Sequence, residues 1–393
     1  MTELQINTLT KIVFGTIIFS SLISVSLLSG VSATTNPITA NSKTNQVIVG
    51  DTENYREFEG LAPTMEPWEA TMRTDPLSGA FEWWYWQGEF DDGSSTQMTW
   101  LAKPFFDNDG ELQPYINFFI TTPNGTNLFG QNKINSNDFQ SAGGALNLTM
   151  GKNWARGDID TVNMHIEPTS NGLGGDLTFT SAAPPTRFGG SGLWYFDTSL
   201  TKFSGLVDPM PFAKVNGTLT YEGQTHEVNG TGYFDKQWGT ANINAEYDGW
   251  YWSTGHYGNY TIDSFFAPTS AKYNHTITTA LYLAKGNGPS EVLVETMHGL
   301  NATTSGSIAG PDGNHTYPEV ITLQYKNGSN SVTLNFTNPE IINTRAAPTN
   351  TNATTYGESQ YFRLGGNGTL NVQWDGTNET ASEPAVMEVF YAH

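Results

Sequence analysis

Apolar and polar positions alternate with a period of two over most of the chain from about residue 80 onward. Residues 320–336 carry the pattern clearly. Ile321, Leu323 and Tyr325 alternate with Thr322, Gln324 and Lys326, and after Asn327-Gly328-Ser329-Asn330 the residues Val332, Leu334 and Phe336 alternate with Thr333 and Asn335. Successive side chains of a strand leave on opposite faces, so this spacing predicts a hairpin with one buried face. A second hairpin is predicted from Gly217 through a Glu222-Gly223 turn to Val228. Beyond the N-terminal apolar run, no window longer than two turns holds a helical stripe. Strands at short spacing between Gly and Asn turns predict an all-β chain of barrel or sandwich type.

Two aromatic clusters stand out from this alternation. Glu82-Trp83-Trp84-Tyr85-Trp86 is followed by Gly88, and Asp248-Gly249-Trp250-Tyr251-Trp252 by Gly255-His256. Each opens a run of strands, as two related β domains in succession would require. The 393 residues suit two such domains, each large enough for its own core. The expected division is residues 57–240 and 241–393, preceded by a polar, flexible segment at 34–56. Ala182–Gly192 and Gly230–Gly239 are candidate joints.

The first 33 residues change the picture of where the chain works. Lys11 precedes an uncharged apolar run, which ends at Val31-Ser32-Ala33, a small-x-small cleavage pattern. The expectation is a signal peptide cleaved near Ala33; a signal anchor is the competing reading. Asn-x-Ser/Thr sequons at Asn124, Asn147, Asn216, Asn229, Asn259, Asn274, Asn301, Asn314, Asn327, Asn335, Asn352, Asn367 and Asn378 point the same way, to a glycosylated protein of the secretory lumen or exterior. A net charge of −21 argues against nucleic acid and anionic membrane as partners. No cysteine is present, which excludes disulfides and thiolate chemistry.

Conventional catalytic signatures are missing: there is no Gly-x-Ser-x-Gly elbow, phosphate-cradling loop or His-Glu-x-x-His helix. The seven histidines lie far apart, and the expectation is a chain without metal or cofactor. What remains is aromatic density around a few ionisable groups. Trp83 and Tyr85 leave a strand opposite to Trp84 and Trp86, so one pair can face a cavity while the other packs elsewhere. A carboxyl buried among such rings has a raised pKa and becomes a proton donor.

The most informative segment is Gly230-Thr231-Gly232-Tyr233-Phe234-Asp235-Lys236-Gln237-Trp238-Gly239. Its Gly-x-Gly-Tyr-x-Asp-x-x-Trp-Gly pattern resembles the signature of the hydroxyneurosporene synthase (carotenoid 1,2-hydratase) superfamily, which includes AttH-type lipocalin-like proteins and fungal Diels–Alderases. Glu82–Trp86 with Gly88, Trp194-Tyr195-Phe196-Asp197 leading into Val215–Leu219, and Trp250–Trp252 with Gly255-His256 and Gly258-x-Tyr260 resemble further motifs of that superfamily, over roughly residues 75–270. The resemblance implies two consecutive lipocalin-like β domains with a pocket at or between them. Hydratases of the group carry histidines beside the motif aspartate, where this chain has Phe234 and Lys236.

The candidate reacting or polarising groups are Asp235, Lys236, His256 and Tyr260, with Trp84, Trp86, Tyr233, Trp238, Trp250 and Trp252 as pocket walls; each is equally open to a core or joint role, and Trp238 with Gly239 to forming a corner. Secreted fungal members of the group imply a cofactor-independent [4+2] cyclase acting on an apolar polyketide or terpenoid. Such a reaction needs only alignment in a dry pocket and one hydrogen-bond donor on a carbonyl. Two alternatives stay open: a hydratase of an isoprenoid using Asp235 as acid, and a non-catalytic carrier of an apolar ligand.

Overall fold

In a computed structural model, residues 45–74, 80–103, 111–286, 290–311, 313, 315–346 and 360–392 are described. The leader at 1–33 and the sequons at Asn314 and Asn352 lie outside the described residues. The described chain is almost entirely strand, and its helices are single turns or little more, the longest being Glu53–Phe58.

Two large antiparallel sheets make up most of the fold, and Ile308–Ala309 pairs with Thr316–Tyr317 in a third of two strands. The first, of 13 strands among the described residues, runs from Ile48–Val49 to Gln224–Gly239; the second, of 9 strands, runs from Gly249–Tyr257 to Thr377–Tyr391. Between them lie nine residues that include the short helix Ile243–Glu246. The two sheets share a closing rule. In the first, Phe81–Phe90 pairs with the last strand, Gln224–Gly239; in the second, Gly249–Tyr257 pairs with the last strand, Thr377–Tyr391. The look-alike aromatic clusters sit on these two closing strands, so their likeness in sequence is a likeness of position in the fold.

Period-two alternation then sorts the side chains. Trp84 and Trp86 turn into the first sheet's own core with Trp100, Phe118, Phe179 and Phe234. Tyr257, Ile262, Leu283, Leu334 and Phe362 form the core of the second. The opposite faces meet each other: Trp83, Tyr85, Leu206 and Tyr233 of the first sheet pack against Trp252, Ala280 and Tyr282 of the second.

Two local expectations are corrected. Gly230–Gly239 is not a joint but the inner strand of the first sheet, hydrogen-bonded on both sides. Its glycines answer to crowding: a Cβ on Gly230 would stand 2.0 Å from the Glu89 carbonyl, and one on Gly239 2.2 Å from that of Phe203. The polar segment before residue 57 is engaged from Ile48, which pairs with Tyr195 while Val49 pairs with Trp194. Val47 and Val49 also pack against the apolar contact between the sheets and Ile48 against the cluster of Leu193, Tyr195 and Trp238, but the apolar stretch is too short to carry a periodic signal.

Candidate functional site: a carboxyl chamber between the sheets

Asp235 lies in the last third of the Gln224–Gly239 strand, beside Tyr85 in register, with Tyr233 and Gln237 on its own face. It is 2% exposed. From the neighbouring strand of the same sheet comes Asp208, at a break in the register between Val207 and Met210. Such a bulge re-aims a side chain. From the second sheet comes Asp263, opposite Thr254 on the Tyr260–Pro268 strand. Asp208 and Asp263 are both fully buried.

Three rings enclose this group. The centroids of Tyr85 and Trp252 are 5.6 Å apart, those of Tyr233 and Trp252 5.4 Å, and those of Tyr85 and Tyr233 6.2 Å. The Tyr233 hydroxyl donates to Asp208 Oδ1 at 3.0 Å. Asp208 Oδ2, Asp235 Oδ1, both carboxyl oxygens of Asp263 and the Trp252 indole N–H are buried and make no well-formed hydrogen bond among the described residues, although the Tyr233 hydroxyl and the Trp252 N–H lie close enough to Asp263 to favour its charged form. An ionised carboxylate held this way would be very costly, and a buried carboxyl escapes the cost by keeping its proton.

The protonation follows from that environment. Burial, then the neighbouring charges of Asp263 and Glu388, pushes Asp235 well above the usual carboxylate range, against the pull of Tyr233 and Gln237. Burial, then Asp263 and Asp235, does the same to Asp208. Burial raises Asp263 to about 7, opposed by the Tyr233 hydroxyl and the Trp252 indole N–H. Burial therefore favours the neutral form of Asp208 and Asp235, able to donate a proton or a hydrogen bond, while Asp263 is poised between its two forms near neutral pH.

One buried cation stands at its edge. Arg363 Nη1 donates to Glu388 Oε1 at 2.9 Å and to the Tyr85 hydroxyl at 2.5 Å, while Nη2 donates to Gln87 Oε1 at 2.9 Å. The Tyr361 hydroxyl donates to the same Glu388 oxygen at 2.6 Å. Arg363 is thus committed to Glu388 and leaves the three aspartates uncompensated. Outside it lies a small cleft of about 30 Å³, lined by Gln87, Thr96, Gln97, Asn343, Arg363 and Val386 among others. That is room for about two waters. Among the described residues, no group of three or more histidine or carboxylate side chains is arranged to hold a metal.

Of the residues singled out in the sequence, the structure gathers Tyr233, Asp235 and Trp252 into this chamber. His256 also faces the opposing sheet, its ring stacked on Phe212 at 4.1 Å and its Nδ1 3.0 Å from Thr261 Oγ1. Trp250 is half-buried and stacks on Phe390 at 4.0 Å. The others lie elsewhere. Trp84 and Trp86 fill the first core, where Trp84 donates its indole N–H to the Ala70 carbonyl and Trp86 stacks on Phe234 at 4.7 Å. Tyr260 belongs to the second sheet's own core, with Lys285 over its ring.

Lys236 leaves the strand on the side opposite Asp235. It pairs with Glu82 at 2.6 Å, both fully buried, and its ammonium lies 4.5 Å from the centroid of Trp238. Glu82 also accepts from the backbone N–H groups of Arg73 and Thr74, which ties residues 62–74 to the sheet. Burial, opposed chiefly by Glu82, lowers Lys236 to about 8.

Asp208, Asp263, Tyr85, Gln87, Arg363 and Glu388 were not expected as a group. The signal that could have found Asp263 is a carboxylate inside the aromatic strand Tyr260-Thr261-Ile262-Asp263-Ser264-Phe265-Phe266, where nothing in the sequence offers it water or a cation.

No family model matches the chain. A stretch of 97 residues is 33% identical to the quinolone epoxide rearrangement protein PenF of Penicillium thymicola; it spans 25% of this chain and 27% of that protein. Among solved structures, an AttH-like protein from Nitrosomonas europaea superposes with a TM-score of 0.60 over 84% of this chain and 99% of its own, at 16% identity. CghA crystallised with Sch210972 does so at 0.58 over 82% and 94%, at 11% identity. Kievitone hydratase from Nectria haematococca follows at 0.53 over 81% and 90%, at 15% identity. The chain has the lipocalin-like all-β fold of the AttH-like proteins, the group that its motifs resemble.

Proposed function

We propose that the protein is a cofactor-independent enzyme that isomerises an apolar small molecule of polyketide or terpenoid type, with a neutral carboxyl of the chamber, Asp235, as general acid. The observation that carries this reading is that Asp208, Asp235 and Asp263 are buried close enough to raise one another's pKa, beside the rings of Tyr85, Tyr233 and Trp252, and none of them forms a salt bridge among the described residues. A solvated carboxylate cannot give a proton to an ether or carbonyl oxygen at neutral pH, and a neutral buried acid can.

Two substrate chemistries suit that acid. Hydrogen bonding to a carbonyl lowers the barrier of a [4+2] closure whose diene and dienophile the rings hold in contact. Full proton transfer to an epoxide oxygen breaks a C–O bond; a neighbouring bond then migrates to the cationic carbon, and the hydroxyl proton returns to the Asp235 carboxylate as the carbonyl forms. Both are isomerisations, in which no atom is gained or lost. The PenF name supports the second, over the quarter of the chain that the likeness covers.

The test is direct. The purified protein is incubated with epoxide-bearing and diene-bearing aromatic polyketides, and products of unchanged mass are resolved chromatographically against buffer and Asp235→Asn. Turnover that needs the acid supports the proposal; tight binding with no new isomer from any of them turns it towards a carrier. Hydration is the second reading, favoured by the water-sized cleft beside Arg363. It demands oxygen from labelled water in the product, which isomerisation does not.

We further propose that the chain is exported and glycosylated. Every described sequon asparagine is exposed except Asn335, which is half-buried. A mobility shift with an endoglycosidase on protein from its native host tests this.

A further inference from the structure

The two sheets are joined in two different ways. Part of the contact is apolar, through Trp83, Leu206, Tyr233, Trp252 and Tyr282. At the edge that carries the small cleft it is polar. There Arg363 crosses to Gln87 and Tyr85, Asn343 Nδ2 donates to Gln97 Oε1 at 3.0 Å, and Asn127 Nδ2 donates to the Ile342 carbonyl at 2.7 Å. The strand Asn330–Ala346 shifts register twice here, between Thr337 and Glu340 and again between Ile341 and Asn343. A strand so bulged is bent and locally unpaired. Asn343 Oδ1 is buried without a partner.

These features have one physical consequence. A protein hydrogen bond can be exchanged for one to water at a modest net cost, while peeling a ring out of apolar packing costs the whole of its burial. Local separation of the sheets is therefore less costly at this polar edge than across the apolar contact. Beyond that edge lies Tyr85, which Arg363 holds and whose ring is one wall of the carboxyl chamber.

We infer that this edge is the way by which small molecules reach the chamber, and that Arg363 is its latch. Opening trades the bonds from Arg363 to Gln87 and Tyr85 for bonds to water or to an incoming molecule, while the pairing with Glu388 on the same sheet persists. The arrangement selects an uncharged molecule carrying an acceptor oxygen, which can take the place of Gln87 Oε1 on the guanidinium. An organic cation would meet Arg363 itself. The inference concerns access to the site of the proposed acid catalysis, and its test does not depend on any turnover.

The cysteine-free chain makes the test clean. Thr254, opposite Asp263 and 3% exposed, is changed to cysteine to report on the chamber; Ala213, fully buried in the first sheet's own core, is changed to cysteine as the control. The rate of labelling by N-ethylmaleimide is measured for each in the native background and with Arg363→Met. The expected result is labelling at Thr254→Cys about ten-fold faster or more with Arg363→Met, the factor that corresponds to about 1.4 kcal/mol of lost closure, and no change at Ala213→Cys. Gln87→Met, which removes one cross-sheet bond and keeps the Arg363–Glu388 pair, gives a smaller acceleration at the same thiol and serves where Arg363→Met does not fold. Unchanged labelling at Thr254→Cys, or equal acceleration at both thiols, overturns the inference. Loss of activity in Asp235→Asn bears on the acid and leaves this result untouched.

Discussion

Asp235 and Lys236 are neighbours in sequence whose side chains never share a compartment: the carboxyl faces the second sheet and the ammonium faces Glu82 beneath Trp84 and Trp238. The half-turn between successive residues of a strand separates a reacting group from a structural one. It keeps the adjacent ammonium from neutralising the acid, and so preserves the raised pKa on which the proposed chemistry rests.

Asp235→Asn keeps the shape of the side chain and removes its proton. Because the native group is neutral when folded but ionised in the unfolded chain at neutral pH, the amide keeps the folded shape and raises the melting temperature rather than lowering it. Turnover of the isomerised substrate falls by about 10²–10⁴-fold, the usual contribution of general acid catalysis. Steady-state rates and melting temperature, measured together, check both halves.

Stability depends on pH in an unusual sense. An aspartate titrates near 3.9 in the unfolded chain and Asp263 near 7 in the folded one, so between these values the unfolded state releases a proton that the folded state keeps. This contribution to stability is complete below about pH 4 and declines as pH rises towards about 7, with a slope of up to about 1.4 kcal/mol per pH unit. Asp263→Asn removes it. Melting temperature as a function of pH should fall less steeply for this variant than for the native chain, so that the variant gains relative stability at the alkaline end.

Lys236→Met strands Glu82 as a buried carboxylate and costs about 3–5 kcal/mol. The loss appears in chemical denaturation. The protein that remains folded keeps its rate constant, because the ammonium does not face the chamber. A selective loss of turnover at unchanged stability would instead put Lys236 in the reaction.

Trp86→Ala empties a site in the first sheet's core, between Phe234 and Trp100, and costs about 3–5 kcal/mol. The pH profile of turnover stays where it was. Trp252→Phe does the reverse: it leaves the packing nearly intact but removes the indole N–H that holds Asp263 down, so the titration of Asp263 moves to higher pH. Denaturation midpoints and pH–rate profiles separate the two tryptophans.

Much of the architecture was legible in advance because it rests on period-two alternation. The pairing of residues 320–327 with 330–337 follows directly from it, and the two aromatic clusters announced the two closing strands. The chamber was legible only in part. Asp235 and Tyr233 lie in a motif, and Trp252 in a recognisable cluster, but Asp208, Asp263 and Arg363 come from strands distant in sequence and meet only because two curved sheets pack face to face. Nor does alternation say which of two faces is inside a sheet's own core and which meets the other sheet. Trp84 and Trp86 were therefore as plausible as pocket walls as Trp83 and Tyr85, until the pairing with Gln224–Gly239 placed them on the other side.

The central claim, that a carboxyl of the chamber carries its proton at neutral pH, is open to difference infrared spectroscopy of the native protein against Asp235→Asn. The account predicts the carbonyl stretch of a protonated carboxylic acid in the native spectrum at neutral pH, missing from the variant. A difference spectrum that shows only the loss of carboxylate bands would mean that Asp235 is ionised, and would contradict it.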